Sequence, residues 1–135
     1  MTAILFAMLM QAASPVPMRA VAKGVVSQVD APRQVVVRTA EEWARLWSGQ
    51  SLDATTPPAV DFSKEMVVAV YLGSRPTAGY SVDIASVGEE GGKIVVKYRE
   101  TKPQRGMMLA QIITSPFAVV AVPKAAGEVT FEKVE

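Results

Sequence analysis

The chain has 135 residues, half of them hydrophobic and a fifth charged, a balance that fits a folded core of single-domain size. Fourteen basic residues face thirteen acidic ones, so the net charge of +1 gives no field to gather nucleic acid or anionic lipid. With no cysteine and no histidine, disulfides, thiolate metal sites and a Ser-His-Asp triad are excluded, and the remaining tyrosines, lysines and carboxylates form no catalytic or metal-binding spacing. A non-enzyme without cofactor or metal is the reading these absences favour.

The first element is a short apolar run, residues 3–10 (AILFAMLM), followed by Ala12, Ala13 and Ser14 and then Pro15 and Pro17. It is too short to span a bilayer and matches the apolar region of a signal peptide, although no basic residue precedes it. A signal peptide over residues 1–17 and one domain over 18–135 are expected, which places the protein in the periplasm or outside the cell, without a stable membrane span.

A β-branched strand is predicted over 34–38. Thr39 and Glu42 then have the spacing of a capping box. Trp43, Leu46 and Trp47 follow at i, i+3 and i+4, one apolar stripe of a short helix that Gly49 is expected to stop in a left-handed turn. A helix this short persists only when packed, so the tryptophans read as its attachment to a sheet more readily than as a binding platform. Residues 55–59 (TTPPA) form a surface connection.

Residues 66–72 are continuously apolar, as a strand covered on both faces requires. A shaped loop follows: Arg75, Pro76, Thr77, Ala78, Gly79 and Tyr80. A plain hairpin needs only two turn residues. Here proline fixes φ, glycine allows positive φ and close approach, and the threonine hydroxyl can hold the turn, a combination suited to presenting backbone to a partner. Residues 80–87 and 94–99 alternate as half-buried strands joined by the glycine-rich 88–92. Lys102 and Arg105 sit in a second loop that reads first as a solvated turn. Folded beside Arg75 it would put three cations on one edge, with Met107, Met108 and Leu109 after it as either core or an adaptable apolar contact. Residues 108–113, 117–122 and 128–131 complete the strand candidates. The sum is an α+β, β-rich fold: an antiparallel sandwich or partial barrel of six to seven strands with one short helix.

An ordered set of residues then carries a resemblance: Gly73, Pro76-Thr77-x-Gly79-Tyr80, Tyr98, Glu100, Pro103, Gly106 and Thr114-x-Pro116. From about 61 to 131 the chain resembles the C-terminal domain of the PrcB family of protease-complex subunits, with Ala78 where members commonly show a second glycine. The resemblance implies an exported accessory protein associated with a secreted protease complex. The stretch Pro76 to Tyr80 is also similar to the Pro-Thr-Thr-Gly-Tyr loop of chagasin-type inhibitors of cysteine proteases, with Arg75 in place of their asparagine and no Arg-Pro-Trp loop following. The expected function is therefore binding of a protein partner, a protease among the candidates, through Arg75, Pro76, Thr77, Ala78, Gly79 and Tyr80, with Lys102 and Arg105 beside them. Direct protease inhibition through the same loop and a structural envelope role using exposed strand edges are the alternatives.

Overall fold

A computed structural model describes residues 14–51 and 56–135. The apolar run 3–10 and the first residue of the 55–59 connection lie outside the described residues.

Among the described residues, eight strands and one helix follow in chain order: β1 Ser14–Pro15, β2 Arg19–Gly24, β3 Arg33–Val37, α1 Ala40–Gln50, β4 Glu65–Tyr71, β5 Ser81–Glu90, β6 Lys93–Thr101, β7 Phe117–Pro123 and β8 Val129–Val134. They form two open four-stranded sheets, β1-β5-β6-β8 and β2-β7-β4-β3, so of the two expected architectures the sandwich is the one observed. Every pairing is antiparallel except β6 with β8.

β4 and β7 explain the layering. Apart from Glu65 at one end, both are apolar throughout, and their registered pairing from Glu65–Pro123 to Tyr71–Phe117 makes them the centre of the second sheet. Met66, Val68, Val70 and Leu72 face the first sheet and pack with Val82, Ile84, Val87, Ile94 and Val96. The alternate residues Val67, Ala69 and Tyr71 turn the other way, onto Trp43 and Leu46 of the helix. The period of two thus sends one strand's side chains into two cores. The result is three layers: sheet, sheet, helix.

The helix starts as its sequence dictates. The Thr39 hydroxyl oxygen accepts the Glu42 N–H at 3.2 Å, and the Glu42 carboxylate accepts from the Arg38 N–H at 3.4 Å. Trp43 is buried and donates its indole N–H to the Pro58 carbonyl at 2.9 Å, whereas Trp47 is half-buried, its ring centroid 5.6 Å from that of Trp43. The stripe is packing, with Trp43 as its deepest member. Gly49 does not stop the helix. It is helical, and the end comes at extended Ser51, because the buried Gln50 is held by its carbonyl accepting the Gln28 N–H at 2.9 Å.

Two further differences concern strands. β1 and β2 lie in a stretch too short or too mixed in pattern to read as strand. Conversely, residues 108–113 are apolar but not a strand. They lie between β6 of the first sheet and β7 of the second, and this crossing segment adds to neither sheet. The glycine-rich connection contracts to Gly91 and Gly92, both at positive φ (57° and 83°), a two-residue turn of the kind that matches strand twist.

Candidate interaction site

The 73–80 loop leaves β4 through Gly73 at φ +81°. A Cβ there would lie 2.8 Å from the Pro32 nitrogen and 2.9 Å from the Asp30 carbonyl oxygen, so no side chain fits. From this point the loop is fastened to the end of the crossing segment. Arg75 N–H donates to the Thr114 carbonyl at 2.7 Å and Thr114 N–H donates back at 2.9 Å. The buried Thr114 hydroxyl donates to the Thr77 carbonyl at 2.9 Å, and Ala78 N–H donates to the Ala110 carbonyl at 3.1 Å. Gly79, at φ +97°, takes a position where a Cβ would sit 2.8 Å from Pro103 Cβ and 3.2 Å from Leu109 Cδ2. The two loops therefore lie side by side, but the expected edge of three cations does not form, because Arg75 pairs with Glu100.

Arg75 is turned inward. Its Nε donates to Glu100 Oε2 at 2.8 Å and its Nη2 to Glu100 Oε1 at 3.2 Å, while Nη1 reaches the carbonyls of Leu72 (3.0 Å) and Ser74 (3.1 Å). Tyr80 lies beside it, its ring centroid 6.0 Å from the guanidinium carbon. Lys133 Nζ donates to Glu100 Oε1 at 3.0 Å, so one carboxylate holds two cations. The Glu100 side chain is only 2% exposed. The hydrogen bond from Arg75 is the main influence that pulls its carboxyl down to about 2, with Lys133 adding to it against the opposing effect of burial. Arg75 is raised from its ordinary value, chiefly by the same bond. This bidentate pair locks the root of the loop and occupies the charge that Arg75 would otherwise present.

Of the remaining sequence-expected residues, Pro76 and Gly79 are exposed and Thr77, Ala78 and Tyr80 half-buried. Lys102 and Arg105 are exposed and make no ion pair with the described residues. They precede a segment whose large apolar side chains face water: Met107 is 53% exposed, Met108 100%, Ile112 54% and Ile113 75%. Exposed Val25 joins the root of this segment, its carbonyl accepting the Ser115 N–H at 2.9 Å. The arrangement is a hydrogen-bonded double loop that carries exposed apolar side chains and two exposed cations, apt for binding a surface. No group of three or more metal-ligating side chains occurs among the described residues.

Sequence reasoning missed Glu100, Lys133, Ile112 and Ile113 as parts of this site. Glu100 carried a signal: it continues the alternation Ile94, Val96, Tyr98, where an inward carboxylate requires a cation. The isoleucines read as strand, which concealed their exposure.

Among known proteins, the family model described as PrcB C-terminal matches residues 66–123. This span runs from β4 to the end of β7 and contains both loops and Glu100. No curated protein and no solved structure matches the chain.

Proposed function

We propose that this protein, with residues 66–123 belonging to the PrcB C-terminal family, is an exported, non-catalytic accessory subunit of a protease complex. It binds its protein partner through residues 75–80 together with the adjoining 102–113 segment. The observation that carries this reading is the exposed apolar tip of Met107, Met108, Ile112 and Ile113, held on a hydrogen-bonded base and flanked by Lys102 and Arg105. Water-facing methionine and isoleucine on a fixed loop favour contact with an apolar partner surface, and the cations favour carboxylates at its rim. Export rests on the apolar leader. A leader ending at residue 17 would remove Ser14–Pro15, which pairs with β5, whereas cleavage just before Ser14 would keep that pairing.

The test is a pull-down from the native envelope fraction with the wild type and a Met108→Ser/Ile113→Ser variant. The wild type should retain a protease, the variant at least about tenfold less, equivalent to about 1.4 kcal/mol of binding, with an unchanged thermal midpoint. Activity of the retained protease separates subunit from inhibitor. A stoichiometric fall in activity would favour the inhibitor reading, and equal retention of the variant would remove the loop from the site. N-terminal sequencing of the native protein should begin near Ser14, and intact Met1 on cytoplasmic material would exclude export.

A further inference from the structure

The four outer strands of the two sheets are not alike. β1 has two described residues, β2 shifts register between Ala20 and Ala22, and β8 carries Glu132 and Lys133 in its middle. Short length, bulges and charge are the usual devices that keep an edge from pairing with another chain. β3 has none of them along its valines. Its five residues pair with β4 in unbroken register, three consecutive valines end it, and its other side pairs with no described strand.

A cleft lies on each side of this free edge. Toward the helix, a groove of about 400 Å³ is lined by the half-buried Val29 and Val35 together with Arg45 and Gly49. Toward the first sheet, a cleft of about 360 Å³ lies against Gln34, Tyr98, Glu100 and Lys133. Arg33 borders both. A strand laid along β3 points successive side chains to opposite faces, so its alternate residues would enter the two clefts in turn. The charges lining them are unequal: Arg33, Arg45, Arg75 and Lys133 against Glu42 and Glu100. Glu100 is shared by two of the cations, and Glu42 serves the helix cap. Arg33 and Arg45 make no ion pair with described residues.

We infer that the free edge of β3 is a second binding site, which takes an extended, acidic segment of a protein partner by strand addition. Backbone hydrogen bonds to β3 supply the affinity. Apolar side chains on Val29 and Val35, and carboxylates at Arg33 and Arg45, supply the selection. This site is separate from the 102–113 tip and does not depend on the proposal made for it.

The test uses a fluorescent peptide of about eight residues, enough to cover β3, in which valine and glutamate alternate, beside a counterpart with lysine for glutamate. The acidic peptide should bind saturably, at least about tenfold more tightly than the lysine peptide, and should slow amide exchange in β3. Arg33→Glu/Arg45→Glu should weaken it at least about tenfold. Gly49→Leu should do the same by filling the groove. A Cβ at Gly49 meets nothing within 4 Å, so this variant should keep the fold. Met108→Ser should bind the peptide as the wild type does. Absence of saturable binding up to about 1 mM (weaker than about −4 kcal/mol), equal binding of the lysine peptide, or exchange protection in 107–113 instead of β3 would overturn the inference. So would self-association through β3 that the peptide does not reverse.

Discussion

Replacing Glu100 by glutamine tests the electrostatic lock at the root of the loop. The carboxyl lies at about 2 in the folded protein, against 4.5 ordinarily, and its side chain is 2% exposed. A gap of that size corresponds to about 3 kcal/mol of folding stability at neutral pH. Most of it belongs to the bidentate Arg75 contact, since Lys133 is half in water and its contribution is screened. The folded value is depressed, so this stability is fully present above about pH 4.5 and disappears as pH falls toward 2. By pH 3 about 2 kcal/mol of it is gone. Glu100→Gln should therefore cost about 3 kcal/mol at pH 7, because Arg75 keeps its charge without a counter-ion. It should also remove Glu100's share of the acid sensitivity. Urea unfolding at pH 7 and pH 3, with slopes compared, reads both. The wild type should lose about 2 kcal/mol more than the variant on acidification. Equal losses, within about 0.5 kcal/mol, would refute the lock and return Arg75 to the surface as a free cation.

Trp43→Ala should cost about 3–5 kcal/mol, and Trp47→Ala clearly less, because only the first ring is fully buried; denaturant midpoints in the same series give the ranking. Tyr71 is 2% exposed, its hydroxyl has no hydrogen-bond partner among the described residues, and burial pushes it up to about 12. Tyr71→Phe should therefore be neutral or stabilise by up to about 1 kcal/mol in thermal unfolding, and a loss larger than that would mean the hydroxyl is bonded.

Local pattern carried much of the architecture. The capping box at Thr39 and Glu42 fixes where α1 begins, and the unbroken apolar run of β4 can persist only between two covering layers. Gly79 was legible as a position of positive φ and close approach, whereas Gly73, under the same constraints, stood out only through the family resemblance. Glu100 was half legible: its alternation pointed inward, but nothing nearby in sequence named Arg75 or Lys133 as its partners.

What the sequence could not hold were facts about distance in space. Pairing Arg75 with Glu100 spans 25 residues, and joining Ser27 to Ser115 spans 88. Such contacts depend on strand order, which local periodicity leaves open. The same limit explains residues 108–113, whose composition asks for a strand. A strand exists only where a neighbour offers its hydrogen bonds, and here the chain is crossing from one sheet to the other. Apolar side chains that would have entered a core therefore face water, and the free edge of β3 lies between two clefts. Sequence determined which segments bury and where the backbone must turn. Tertiary structure alone decided which charges meet and which apolar surface and strand edge are left open, because those depend on partners brought close only by folding.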